Sequence, residues 1–501
     1  MQQEPDAARE LGNEVARRTL LQVTCNKQTD APDQNRIYHG PLTDLADPLI
    51  ARPRVRRSGS SEPRSAAATL WRVSYPVMVT SLAQLMLTIV DSALLGRYST
   101  QALASIALAA PVYLVATVVV RGWATAIQIL VARRHGSGQT EQVGVVVDIG
   151  LALGLALGVL MGTALLITAP ALLEVIGGGT DLVDEGTEYL RILAGAVPFV
   201  AVTFALQGAF AGLGATRVAM TMALVTNIVH LPLAAALIFG AGLGVAGAGL
   251  STLVATAAGA GYLLWYGRRR LAVQLPRLRA ANLRAGRGVV PRLAGIGGPE
   301  MAMLLIGYTV EVVLFALVAR LGTIELAAYR ILDNLLGLSL TGIMGISTGI
   351  AILAGQHLGA GDPARAAGYH RTGARIGLLM AAGSALPLLL LPTAVLGLFT
   401  ADTRVVGEAS AAALAGVLGL IPMAFAFSLS GLLRAAGESR WVLLASVGSD
   451  IVLLIPLAWL FGLVLGWGLN GVFIAWIAFA AGYWALIYIR YRTGRWKTAD
   501  V

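Results

Sequence analysis

A few ionisable side chains stand inside long apolar runs, and their spacing is that of groups that handle protons or small cations. Gln84, Thr88 and Asp91 fall at i, i+4 and i+7, one polar stripe along an otherwise apolar helix. Such a stripe is intolerable against lipid, so it is expected to face a bundle interior. Desolvation there favours the neutral acid, which lets a carboxylate carry a proton near neutral pH. Glu311 stands mid-way along another run, with Tyr308 one turn before it, and His230 lies one turn from Asn227 in a third. Asp333 beside Asn334, and Asp450, are further acidic candidates by spacing alone. Arg121 lies deep in its run, where an unpaired cation is costly, so it is expected to meet Asp91, Asp148 or Asp333. A pairing with Asp91 would hold that carboxylate ionised and weaken the proton-carrier reading. Each group also fits a plainer role as a helix–helix hydrogen bond.

These residues must be positioned by a membrane. The chain has 501 residues, of which 56% are apolar and 13% charged, with 59 glycines besides, and a mean hydropathy of +0.73. A soluble domain carries roughly 25% charged residues, and water cannot solvate this composition. Twelve apolar runs of bilayer length are predicted at 72–95, 104–131, 143–168, 188–211, 218–240, 245–266, 293–319, 327–355, 370–396, 408–433, 441–462 and 469–490. Residues 1–68 are polar and aperiodic and read as a disordered cytoplasmic tail. The other expected segments are an N-lobe over 69–266, a basic linker over 267–292, a C-lobe over 293–490 and a cytoplasmic C-terminus over 491–501.

Loop charge sets the expected orientation. Arg133 and Arg134, Arg217, the cluster from Arg268 to Arg292, Arg365 and Arg371, and Arg434 and Arg440 occupy alternate loops, and Arg490, Arg492, Arg495 and Lys497 the C-terminus. By the positive-inside rule both termini are cytoplasmic. The formal charge of +10 is therefore expected to face anionic headgroups rather than nucleic acid. Trp441, Trp467, Tyr491 and Trp496 suit interfacial anchoring. The single Cys25 excludes an internal disulfide. The five histidines are dispersed, with neither H-E-x-x-H nor G-x-S-x-G spacing, so no enzyme, cofactor or metal site is expected.

The two halves repeat. An offset of 223 pairs Arg97 with Arg320, Gly122 with Gly345, Thr125 with Thr348, Gly136 with Gly359, Gly208 with Gly431 and Arg217 with Arg440. An offset of 224 pairs Gly244 and Gly247 with Gly468 and Gly471. Six spans per half give both halves the same orientation, an arrangement typical of carriers that rock two bundles about a midplane site. Two loop signatures recur in the repeat. Gly136-Ser137-Gly138 returns as Gly359-Ala360-Gly361-Asp362, and Gly212-Leu213-Gly214-Ala215-Thr216-Arg217 as Ala436-Gly437-Glu438-Ser439-Arg440.

Set in two six-span repeats, these signatures resemble those of the multidrug and toxic compound extrusion (MATE) family of cation-coupled antiporters. So do Pro76, Gln84 and Val90-Asp91-Ser92-Ala93-Leu94-Leu95-Gly96-Arg97 in span 1, and Glu311, Tyr329 and Asn334 in spans 7 and 8. The resemblance covers roughly residues 70–490. It implies an all-α integral membrane fold of twelve transmembrane helices in two parallel six-helix repeats, N- and C-lobes around a central cleft. It also implies a cation site at Asp91, Asn227 and Thr252, with Glu311 as the C-lobe counterpart. Two positions depart from the family: His230 stands where an asparagine is common, and Ala234 where many members carry a second aspartate. Histidine is a poor Na⁺ ligand and a good proton carrier, so the coupling ion is expected to be H⁺ rather than Na⁺.

The expected function is secondary antiport by alternating access of the two lobes, exporting amphipathic drugs or metabolites, with the protein a monomer in the plasma membrane. Met78, Met86, Tyr308 and Phe315 are the candidate cleft lining, with Met301, Met303 and Met344, because methionine adapts to varied shapes. The alternative is a flippase for a lipid-linked oligosaccharide, which would favour a cationic cleft.

Overall fold

A computed structural model describes residues 65–177, 182–270 and 286–498. They belong to one compact unit, Ala51–Val501; most of the expected tail and the middle of the expected linker lie outside the described residues. Among the described residues, twelve helices are long and apolar enough to cross a membrane. They are α1 (Ala66–Tyr98), α2 (Thr100–Gly136), α3 (Thr140–Gly177), α4 (Leu182–Gly212), α5 (Thr216–Ala235), α6 (Gly244–Arg270), α7 (Val289–Ala319), α8 (Thr323–Gly359), α9 (Pro363–Leu390), α10 (Thr403–Ala435), α11 (Ser439–Ser449, continued to Val464) and α12 (Gly468–Arg492). Helices satisfy their own backbone groups, which is the condition for crossing lipid. Ser99, Asp362 and Asp402 cap α2, α9 and α10 through their side-chain oxygens.

The boundaries differ from expectation in three places. Helix α1 begins at Ala66, inside the expected tail, and α6 and α7 run into the expected linker. The ninth span ends at Leu390 rather than 396. Pro392 has no N–H to continue the ladder and instead starts a separate turn, Pro392–Leu396.

The duplication is written into the backbone. Gly138 and Gly361 both have φ 74°, while Gly214 and Gly437 have 79° and 81°. These left-handed turns are where the repeated loop signatures need glycine. Helices α5 and α11 both finish in π-helical turns, Ala236–Gly240 and Trp459–Val464.

The other repeated glycines bring helices together, and the contacts are reciprocal. A Cβ on Gly136 would meet the Gln356 carbonyl, and one on Gly359 would meet the Arg133 carbonyl. A Cβ on Gly122 would meet Met301, and one on Gly345 would meet Met78. Inside each lobe, Gly208 packs on the Ala124 carbonyl and Gly431 on the Ser347 carbonyl. Every one of these contacts maps onto its partner by the 223-residue shift, so the lobes are related by a pseudo-two-fold axis. The Gln356 amide also donates across the lobes to the Gly212 carbonyl at 2.9 Å.

This seam occupies the half of the molecule nearest the arginine-bearing loops. It runs from the loop ends of α2 and α8 inward to Gly122, about 21 Å along α2. Beyond it the helices lose cover. Leu82, Leu85, Met86 and Ile89 on α1, and Glu311, Val312 and Val313 on α7, are all exposed. The cross-lobe contacts made at the repeated glycines all lie on the arginine side.

Candidate functional site

The most concentrated polar chemistry in the N-lobe is at the far end of α1. Asp91 is 7% exposed and His230, on α5, is 1% exposed. His230 Nε2 lies 3.3 Å from Asp91 Oδ1, and 3.3 Å from the hydroxyl oxygens of Ser251 and Thr252 on α6. Both hydroxyls donate to the Ala248 carbonyl, at 2.8 and 3.0 Å. A hydroxyl has one hydrogen, so toward the ring both present lone pairs. Three acceptors around one nitrogen place a hydrogen on Nε2. Asp91 Oδ1 accepts no aligned hydrogen bond and meets the ring at ion-pair distance only. Tyr189, also buried, is close enough to feel the Asp91 charge. The arrangement is a buried carboxylate and an imidazole at ion-pair distance.

Three of the five expected coupling residues therefore converge: Asp91, His230 and Thr252. Asn227 is turned elsewhere, donating to the carbonyls of Ala223 at 2.9 Å and Ala83 at 3.2 Å, which ties α5 to α1. It lines a cavity of about 150 Å³ between α1, α4, α5 and α6 with Gln84, Thr203 and Gln207. The Thr203 hydroxyl and the Gln207 amide nitrogen are buried there without a hydrogen-bond partner among the described residues. The expected stripe is thus split. Only Asp91 is buried, whereas Gln84 and Thr88 are exposed, because α1 loses cover between Leu82 and Ile89.

In the C-lobe, Glu311 is exposed on α7. Asp333 and Arg330, both on α8, are its charged neighbours. Arg330 Nη1 lies 3.9 Å from Asp333 Oδ2, and its guanidinium sits 4.8 Å over the Phe315 ring. Phe315 meets Tyr329 edge-on at 5.2 Å. Tyr308 is half-buried and Asn334 exposed. Asp450 does not join this group. It is buried at the start of a π-helical turn, Asp450–Leu454, in a second group around Tyr483 that includes Arg434 and Glu300.

Two placements overturn expectation. Arg121 is exposed and makes no ion pair with Asp91, Asp148 or Asp333 among the described residues; its side chain leaves α2 on a face that no carboxylate covers. Met78 is 8% exposed and packs against Gly345 in the seam rather than lining the cleft. Met301 is its repeat counterpart, packed on Gly122. Met303 is also engaged, its sulfur 3.4 Å from Arg434 Nη2. Met86 and Met344 are exposed, at 51% and 42%.

Four polar groups in these clusters escaped the sequence. Ser251 adjoins Thr252 in the same stretch, and Gln207 is an amide in an apolar run. Arg330 stands three residues before Asp333, a spacing that pairs charges on a helix. Glu300, 4% exposed, accepts from the Ser439 hydroxyl at 2.8 Å and lies 3.3 Å from Arg434 Nε. Its signal was a charge directly after Gly297-Gly298-Pro299, deep in an apolar run.

The sequence profile of the MatE family matches residues 76–236 and again residues 299–460. The chain belongs to the MatE family. The two MatE matches begin 223 residues apart and end 224 apart, which are the two shifts read from the glycines. The chain is similar to "Probable multidrug resistance protein NorM" of Pseudomonas syringae pv. tomato, 28% identical over 86% of this chain and 95% of that one. It is 29% identical to the protein of the same description from Aromatoleum aromaticum, over 68% and 74%. "Multidrug resistance protein MdtK" of Yersinia enterocolitica is 26% identical, over 83% and 92%. Among solved structures, the outward-facing conformation of a multidrug resistance MATE family transporter superposes with a TM-score of 0.78 at 19% identity, covering 87% of this chain and 98% of that one. MATE in the bent conformation gives 0.79 at 20%, covering 87% and 99%. The MatE fold and a multi-pass membrane protein follow.

Proposed function

We propose that this MatE protein is a proton-coupled antiporter that exports amphipathic compounds by alternating access of its two lobes. The observation that carries the reading is the buried contact of Asp91 with His230 at 3.3 Å. A ring nitrogen stands at the centre of the oxygen cluster, where a Na⁺ would need another oxygen. Ala234, fully buried, supplies none. In the ionised state Asp91 attracts the Nε2 hydrogen and holds α1 to α5. Once protonated it releases that hold. A proton therefore binds the two lobe arrangements with different affinity, which is what a coupling ion must do. Asp91 lies seven residues before the end of α1, about 10 Å from it, beside the uncovered stretch from Leu82 to Ile89. Protons reach it from the open side.

The arginine loops mark the cytoplasmic side in this reading, both termini are cytoplasmic, and the seam makes the structure outward-open. Export of drug-like amphiphiles is supported by the names of the NorM and MdtK relatives and by the exposed Met86 and Met344. The lipid-linked oligosaccharide flippase is less favoured, since Arg330 is accompanied by Asp333 and Glu311. The protein works as a monomer, because each lobe closes on the other.

The test is dye or drug efflux from reconstituted vesicles under separate H⁺ and Na⁺ gradients, with Asp91→Asn and Glu311→Gln beside the parent. Efflux under the H⁺ gradient that is lost in Asp91→Asn supports the reading. Efflux driven only by Na⁺, or unchanged transport in both variants, overturns it.

A further inference from the structure

On the arginine side, away from the Asp91 cluster, the ends of α7, α11 and α12 line an open cavity of about 440 Å³. Three arginines line it: Arg292, Arg440 and Arg490. Arg490 is already satisfied. Its guanidinium is bidentate on Glu438 at 2.7–3.0 Å and sits 5.4 Å over the Trp441 ring. Arg292 and Arg440 are exposed and form no ion pair among the described residues. The remaining wall is apolar: Ile296 inside, and Leu444, 64% exposed, at the rim. The repeat does not explain these features. The 223-residue shift carries Glu438 and Trp441 onto Ala215 and Val218, and the 224-residue shift that holds for the last helix carries Arg490 onto Tyr266, so the same scaffold in the N-lobe lacks the acid, the indole and the third arginine.

We propose that this cavity binds the phosphate headgroup of an anionic phospholipid from the leaflet on the arginine side. Two unpaired guanidiniums offer forked donors that match phosphate oxygens. The indole suits headgroup depth, and the rim at Leu444 continues the path toward acyl chains. A soluble phosphate ester shares the phosphate chemistry but makes no use of that rim. A bound headgroup ties the first turns of α7 to α11 and α12, and α7 is the helix that carries Met301 into the seam.

The test uses the full-length protein in a neutral detergent, titrated separately with phosphatidylglycerol, phosphatidylcholine and glycerol 3-phosphate, with retained lipid read by native mass spectrometry. The pocket variant is Arg292→Gln with Arg440→Gln. The control is Arg371→Gln with Arg375→Gln, the same charge change on exposed arginines in the first half of α9. Phosphatidylglycerol should bind the parent in preference to phosphatidylcholine. The pocket variant should weaken that binding roughly 25-fold, about 5-fold for each arginine, and the control should leave it within about 2-fold. Arg440→Lys, which keeps the charge but not the fork, should bind more tightly than Arg440→Gln and less tightly than the parent, and guards against a folding defect. An equal loss in the control, equal binding of phosphatidylcholine, or glycerol 3-phosphate binding as tightly as the lipid would each overturn the proposal.

Discussion

Substituting Gly136 by alanine should open the arginine side. The added Cβ overlaps the Gln356 carbonyl, which is helix backbone and cannot swing aside as a side chain would. Helices α2 and α8 must therefore separate wherever the seam is closed. Overpacking of this kind costs about 1–3 kcal/mol, and a state in which the seam is parted does not bear it. The equilibrium between the two states then moves by roughly 5- to 150-fold toward opening on the arginine side. Gly359→Ala meets the Arg133 carbonyl in the mirrored contact, so it should shift the equilibrium by a similar factor. The double variant should add less than the sum, because one substitution already parts the helices. Gly138→Ala is the contrasting case. Its φ is 74° and nothing lies within 4 Å of the new Cβ. It should cost about 1–2 kcal/mol of local strain without moving the lobes. The assay is electron–electron resonance between spin labels on the loop ends of α2 and α8, in a Cys25→Ser background in nanodiscs. Parental distances in Gly136→Ala, or equal opening in Gly138→Ala, would refute the reciprocal-seam argument.

Other consequences concern the buried charges. Glu300→Ala strands Arg434, whose side chain is 15% exposed, and should destabilise the protein by about 3–5 kcal/mol. Glu300→Leu with Arg434→Met should recover most of that loss in detergent-titrated unfolding; additive losses in the double variant would count against a coupled pair. Thr252→Val removes one of the acceptors around His230 Nε2 and should slow transport by about 5-fold, the worth of a hydrogen bond near 1 kcal/mol. Thr252→Ser keeps the oxygen and should transport at close to the parental rate, and equal rates for the two variants would remove Thr252 from the site.

The twelve spans and the duplication were legible in sequence because both rest on local rules. Apolar length decides a span, and glycines needed for a left-handed turn or a close approach cannot drift without loss of that turn or contact. Gly138 and Gly361 keep one φ for that reason, and Gly136 and Gly359 keep one contact. Tertiary placement was less legible. Helical periodicity set Gln84, Thr88 and Asp91 on one face, but it carries no information on where a neighbouring helix diverges, and there the stripe becomes exposed. Arg121 was assigned a partner from its depth in the run, which does not say on which face of the helix its side chain leaves. Glu300 passed unnoticed because its partners, Arg434 and Ser439, are more than 130 residues away in the chain.

The claim that Asp91 and His230 carry the coupling proton is tested most directly by following protons and substrate together. Purified protein is reconstituted in vesicles holding a pH-sensitive fluorophore, and a cationic dye is supplied on one side with no Na⁺ present. The account predicts that dye movement drives an opposing proton flux in the parent, and that Asp91→Asn still binds dye but moves no protons with it. Parental proton flux in Asp91→Asn, or dye transport that proceeds only after Na⁺ is added, would contradict it.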